Sequence, residues 1–213
     1  MMNKQYCIFD MDGTLVNSMG YWKYLEREFL IRKGVTDGLE EALVDIQHLT
    51  VPEASALFIE RFGFKGTVDS ITEEFDALMA EHYRTDIQAK PGVPEYLESL
   101  HRQGVKMCIA SATSTPLVKI CLEHLGLTKY FEFTLSCTAV GSSKDRPDVF
   151  LEAARRLGST PEETAVFEDS AVAAATAKSA GFCTVGIYDA VSAHNWPVLQ
   201  ALCDELIEDW ETV

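Results

Sequence analysis

Two carboxylates stand two residues apart in Asp10-Met11-Asp12-Gly13-Thr14, where a short apolar run ends at a glycine. Tyr6 to Phe9 is rich in β-forming residues, as a buried parallel strand would be, and Gly13 permits a sharp turn out of it. In extended backbone, residues i and i+2 point the same way, so Asp10 and Asp12 can converge on one point. Two like charges that close repel each other unless a cation lies between them or one carboxyl holds a proton. Either resolution is a site. A solvated Asp-x-Asp-Gly turn is the plain alternative, and it leaves the later signals of the chain unexplained.

Three such signals follow, each at the end of an apolar, β-type run. Ser111-Ala112-Thr113 closes Val105–Ala110, and Gly141-Ser142-Ser143-Lys144 follows the Phe131–Leu135 region. Glu168-Asp169-Ser170 closes Ala165–Phe167. Taken singly, Ser111 is a loop hydroxyl, Lys144 a solvated cation, and Glu168 with Asp169 a pair of helix N-terminal acids. In an open parallel sheet, however, ligands bind at the carboxyl ends of the strands. Shared placement there sets acids, a hydroxyl and a cation around one crevice.

The elements that position them read as an α/β chain. Further strands are expected at Cys183–Ile187 and, weakly, Leu206–Ile207. From residue 90 onward helices alternate with strands. Pro94 to Arg102 is one helix, and Thr115-Pro116 opens another through Leu125, with threonine as N-cap and proline at the first position. Phe150, Ala153, Ala154 and Leu157 mark an inward helical face, and Thr160-Pro161-Glu162-Glu163 carries a capping box. This alternation predicts a doubly wound, Rossmann-like parallel sheet.

Residues 17–86 break the rhythm with helical patterns only, over Tyr21–Lys33, Thr50–Phe62 and Ser70–Tyr83. Thr50 with Glu53, and Ser70 with Glu73, offer capping boxes. An all-helical insertion directly after a reactive strand tip reads as a cap domain over the site, with hinges near Leu15–Ser18 and Arg84–Lys90. The core is then residues 1–16 and 87–213. A helical bundle that merely extends the core is the alternative reading.

Composition excludes several functions. The chain has 213 residues, 47% hydrophobic and 24% charged, which is ordinary for a globular enzyme. A net charge of −15 argues against nucleic acid and anionic membranes as partners. No apolar run approaches a membrane span, and Asp10 and Asp12 interrupt the N-terminal apolar stretch, so neither a span nor a signal peptide is expected. The six cysteines include no Cys-x-x-Cys pair and read as reduced core thiols, and the five histidines show no metal-binding spacing. Trp196 and Trp210 read as packing groups. A cytoplasmic enzyme, monomeric or weakly dimeric, is expected.

With these residues in this order, the chain resembles the haloacid dehalogenase-like superfamily, in its phosphatase and β-phosphoglucomutase-like branch with a helical cap after the first strand. The resemblance spans essentially the whole chain. It implies that Asp10 is a nucleophile that forms an aspartyl-phosphate with a phosphate monoester, and that Asp12 serves the leaving oxygen and then water as acid and base. It implies Mg²⁺ held by the carboxylates of Asp10 and Asp169 and the backbone carbonyl of Asp12, with Glu168 holding a metal-bound water. Ser111 and the backbone N–H of Ala112 would bind phosphate oxygens, and Lys144 would neutralise the transferring group. Asn17, Asp145 and Ala173 depart from the family's usual Asp, Pro and Gly, and Asp145 stands to modulate Lys144.

A Mg²⁺-dependent phosphatase of a small phosphorylated metabolite, such as a sugar phosphate, is the leading expectation. The alternative is a sugar phosphomutase. That family carries a histidine ten residues after its acid/base aspartate, where this chain has Trp22, and a cap arginine that His48–Ala56 lacks. A haloacid dehalogenase proper has no alkoxide to protonate and no need of Asp12. A non-catalytic binding module would not have kept every acid together with Ser111 and Lys144. Residues 18–85 hold 7 basic and 13 acidic side chains, which disfavours polyanionic substrates.

Overall fold

The computed structural model describes residues 4–46 and 49–213, so the expectations for His48 lie outside the described residues. Strand β1 (Tyr6–Phe9) is followed by four helices, α1 (Met19–Arg32), α2 (Leu39–Asp45), α3 (Val51–Phe62) and α4 (Val68–Thr85). Then come α5 (Val93–Arg102), β2 (Lys106–Ser111), α6 (Thr115–His124), β3 (Thr134–Ser136), α7 (Cys137–Val140) and α8 (Asp148–Leu157). The chain ends with β4 (Thr164–Glu168), α9 (Ala171–Ser179), β5 (Cys183–Ile187), α10 (Trp196–Leu202) and β6 (Glu205–Ile207).

The six strands form one parallel sheet in the order β3-β2-β1-β4-β5-β6. This is the doubly wound α/β arrangement that the strand–helix alternation predicts. The chain runs outward from β1 to β3, then returns to β4 and continues to the other edge. The crevice beyond the carboxyl ends of β1 and β4 is therefore the switch point at which such sheets bind ligands.

Period-two alternation sorts β1 between two cores. Ile8, with Cys108, Ala110 and Val166, faces α8 and α9 through Val149, Phe150, Ala153 and Ala177. Cys7 and Phe9, with Met107, Ile109 and Phe167, belong to the opposite core, which takes in Leu97 of α5 and Leu117 and Cys121 of α6. Phe9 stacks on Phe167 with centroids 4.2 Å apart. Trp210 packs against Phe167 and Tyr96, and its indole N–H donates to the Thr14 carbonyl at 3.2 Å.

The second core continues without a break into the helical insertion. There Phe29 of α1 meets Phe75 of α4 at 4.1 Å, and Phe58 of α3 packs on the same ring. Helix α4 also packs against α6, and Ser114 at the head of α6 donates to Asp76 of α4 at 2.8 Å. The segments that enter and leave the insertion lie side by side: Asn17 N–H donates to the Gln88 carbonyl and Lys90 N–H to the Leu15 carbonyl.

Several boundaries differ from the sequence reading. Strand β3 begins at Thr134 rather than Phe131, because Thr128–Tyr130 forms a 3₁₀ turn and only Thr134–Ser136 reaches the register of Ile109–Ser111. Helix α4 starts one turn before Ser70: Thr67 is the N-cap and Ser70 closes the box from the third position. Ser114, not Thr115, precedes the first turn of α6. The Thr160 box forms, yet it caps a single 3₁₀ turn that leads into β4. Helices α2, α7 and α10, of 7, 4 and 7 residues, are too short to show a helical period.

Candidate active site

Asp10 follows the last residue of β1, and its backbone N–H donates to Phe167 of β4 at 3.0 Å, which fixes the tip of one strand to the other. The chain then turns back on itself: Leu15 and Val16 both donate to the Met11 carbonyl. Gly13 makes this turn at φ +77°, and a Cβ placed there would lie 2.5 Å from Asp169 Oδ2 and 2.9 Å from Met19 Cγ. Glycine is required here twice, for the left-handed backbone and for the closeness of Asp169.

At the centre Lys144 Nζ lies 2.5 Å from both Asp10 Oδ1 and Glu168 Oε1, and all three side chains are buried. Oxygens of Asp10, Glu168 and Asp169 lie within 4.8 Å of one another. Burial pushes the Asp10 carboxyl up, Lys144 opposes this, and Asp12 adds to it. Burial likewise pushes Glu168 up to about 7 against the pull of Lys144, with the Asp10 charge adding to the rise. Asp169 rises well above the carboxylate range through burial and the charges of Asp10, Glu168 and Asp189. For Lys144 burial acts against the charge, but Asp10 and Glu168 outweigh it and hold the ammonium above its usual range.

One ammonium does not compensate three buried carboxylates. Glu168 Oε2 is buried without a hydrogen-bond partner, and Thr14 reaches Asp169 only at 3.4 Å. An all-oxygen, anionic donor set with an orphaned oxygen fits a hard divalent cation, which takes carboxylate and phosphate oxygens and keeps waters. Of the four residues expected at the metal, Asp10, Glu168 and Asp169 contribute carboxylates to this group.

The carboxylate of Asp12 is turned elsewhere. Its Oδ1 accepts from Ser18 Oγ at 2.6 Å, Tyr83 OH at 2.5 Å and Trp22 Nε1 at 3.4 Å, and its Oδ2 accepts from Thr113 Oγ1 at 2.8 Å. Trp22, ten residues after Asp12, therefore supplies it with a ring N–H. Of these donors only Trp22 and Thr113 lie at positions the sequence singles out. Tyr83 sits 71 residues away, and its tip is indistinguishable in sequence from that of a core tyrosine.

Asp10, Asp12, Ser111, Ala112, Lys144, Glu168 and Asp169 all line one cavity of about 380 Å³, whose lining also includes Trp22, Lys23, Glu26 and apolar residues of α2 and α3. Ser111 ends β2, fully buried, and its Oγ accepts from Thr113 N–H at 3.1 Å. Asp145 is exposed and accepts from Ser143 at 2.7 Å, so its contact is with the loop and not with Lys144. A second ion pair escaped the sequence reading: Lys90 and Asp189 meet at 3.1 Å, both buried, joining the chain after the insertion to the loop after β5. The six cysteines are unpaired, four of them buried. Among the described residues no helix is long and apolar enough to cross a membrane.

A family model described as haloacid dehalogenase-like hydrolase matches residues 4–181. The chain is 28% identical over 178 residues to a phosphorylated carbohydrates phosphatase of Thermotoga maritima, covering 82% of this chain and 80% of that one. It is 30% identical over 182 residues to a bifunctional riboflavin kinase/FMN phosphatase of Arabidopsis thaliana, covering 84% of this chain but only 47% of that protein. A crystal structure of a hydrolase from Pseudomonas syringae superposes with a TM-score of 0.73 at 25% identity, covering 96% of this chain and 93% of that one.

Proposed function

The chain belongs to the haloacid dehalogenase-like hydrolases, and from that membership and the geometry of its acidic centre we propose that it is a Mg²⁺-dependent phosphatase of a small phosphorylated metabolite. The observation that carries this reading is the division of labour between the two tip carboxylates. Asp10 is held by Lys144 inside the acidic group, while Asp12 is held apart by four neutral donors.

In this reading Asp10 is the nucleophile. Lys144 engages its Oδ1, so Oδ2 is the oxygen available to phosphorus. As the Oδ2–P bond forms, the bond from phosphorus to the ester oxygen breaks, and Asp12 gives that oxygen its proton. Water then attacks the aspartyl-phosphate, Asp12 takes a proton from it, and cleavage of the bond to Asp10 releases inorganic phosphate. Ser111 and the N–H of Ala112 hold non-bridging oxygens, and Lys144 offsets their charge. Asp10, Asp169 and the backbone carbonyl of Asp12 would hold Mg²⁺, with Glu168 beside it. When bound, the ion neutralises charge on the phosphoryl group and orients it.

Residues 17–86 act as the cap and residues 1–16 with 87–213 as the core. The cavity between them is small, which suits a single metabolite, and the likeness to a phosphorylated carbohydrates phosphatase supports a sugar phosphate. Unpaired cysteines suit a reducing, cytoplasmic compartment. The test is a screen of phosphorylated metabolites in the presence of Mg²⁺, reading inorganic phosphate and, for a hexose 1-phosphate, hexose 6-phosphate. Phosphate released one for one with substrate, lost with EDTA and restored with Mg²⁺, is expected. Predominant hexose 6-phosphate would make the enzyme a mutase, and full activity without metal would refute the role of Mg²⁺.

A further inference from the structure

Helices α1 and α4, the first and last of the insertion, each send one polar tip out of an apolar face to the same oxygen of Asp12. Tyr83 is fully buried in the cluster around Met79 and Phe75, and Trp22 is nearly so. Indole N–H only donates, so the Tyr83 hydroxyl oxygen accepts from Trp22 and has its own hydrogen left for Asp12. Trp22 Nε1 donates to Tyr83 OH at 3.0 Å, and Tyr83 OH passes its own hydrogen to Asp12 Oδ1 at 2.5 Å. With Ser18 also on Oδ1, that oxygen is saturated by three donors, whereas Oδ2 has Thr113 alone.

We propose that Tyr83 and Trp22 are positioning residues for Asp12: they lock Oδ1 and so present Oδ2 as the oxygen that exchanges protons with the leaving group and with water. The inference rests on the phosphatase reading above and adds to it a dependence of acid/base catalysis on two residues of the insertion. The ordinary alternative is that Tyr83 is a core residue whose hydroxyl has merely found an acceptor.

Leaving groups separate these possibilities. Release of an alkoxide needs a proton from Asp12, and release of p-nitrophenolate does not, while kcat/KM reports the chemistry only up to departure of the leaving group. For Tyr83→Phe, kcat/KM on an alkyl phosphate is expected to fall by at least about tenfold more than on p-nitrophenyl phosphate. The aryl ester is expected to show a burst of p-nitrophenolate followed by slow turnover, because water attack on the aspartyl-phosphate still needs Asp12. Trp22→Phe, which keeps a ring in place, is expected to show the same split to a smaller degree, and it serves if Tyr83→Phe does not fold. Equal losses on both esters without a burst, or no loss on either, would overturn the positioning role. A wild-type protein that released phosphate from neither ester nor from any metabolite of the screen would overturn the phosphatase reading itself and this inference with it.

Discussion

Replacing Lys144 with methionine removes the only ammonium within hydrogen-bond distance of Asp10 and Glu168 among the described contacts, and keeps a side chain of comparable length. At 2.5 Å from each carboxylate and an effective dielectric constant of about 20, each contact is worth about 7 kcal/mol before desolvation. Burying the ammonium takes back several kcal/mol, so the net effect is set by what the change leaves behind. It leaves three buried carboxylates facing one another with no ammonium in contact, Lys90 acting on Asp169 only from its own pair with Asp189. Breaking a buried pair in this way costs about 3–5 kcal/mol. The assay is urea unfolding followed by circular dichroism at pH 7 in EDTA, then repeated with Mg²⁺. Lys144→Met is expected to lower stability by about 3–5 kcal/mol without metal, with an unchanged dependence on urea. Mg²⁺ is expected to narrow the gap, since a cation that binds only the folded state offsets the same carboxylates. A metal-free variant as stable as the wild type would refute the reasoning, because it would mean that the acidic group does not rely on this ammonium.

Other perturbations reach the same centre by different routes. Gly13→Ala places a side chain at φ +77°, which costs about 1–2 kcal/mol, and drives its Cβ to within 2.5 Å of Asp169 Oδ2. Lower thermal stability and weaker Mg²⁺ binding by calorimetry are expected, and unchanged Mg²⁺ affinity would contradict the closeness of Asp169. Glu26, facing the cavity from α1, is pushed up from 4.5 to about 7 by burial, against the pull of Lys23. A folded-state value above the unfolded one contributes stability that is present below pH 4.5 and lost as the pH rises through about 7. Glu26→Gln, which cannot ionise, is therefore expected to gain stability relative to the wild type between pH 5 and pH 8. Urea unfolding at the two pH values checks this, and an equal difference at both would contradict it.

The parts legible in the sequence are those whose signals are local. Strands β1, β4 and β5 announce themselves as apolar runs, and the Thr50–Glu53 box marks the start of α3 because both partners lie within one turn. The placement of Asp10 and Lys144 could be anticipated from strand ends in a parallel sheet, since topology alone brings such ends together. What surrounds Asp12 could not. Its donors come from Ser18 and Trp22 at the start of α1, Tyr83 near the end of α4 and Thr113 after β2, and nothing local distinguishes a tyrosine that touches a carboxylate from one that only fills a core. Lys90 and Asp189 were invisible for the same reason: they are 99 positions apart and meet only because the loop after β5 returns over the exit of the insertion. The short helices α2, α7 and α10 carry too few turns for periodicity to register.

Transfer of a phosphoryl group to Asp10 is the step on which the catalytic reading stands. The most direct measurement is to mix enzyme, Mg²⁺ and a turning-over phosphate ester, quench in acid, and locate the covalent phosphate by proteolysis and mass spectrometry. The peptide that contains Asp10 is expected to carry one phosphoryl group, and Asp10→Asn is expected to fold normally, carry none and turn over no substrate. Phosphate found on another residue, or an Asp10→Asn protein that hydrolyses the ester at the wild-type rate, would contradict it.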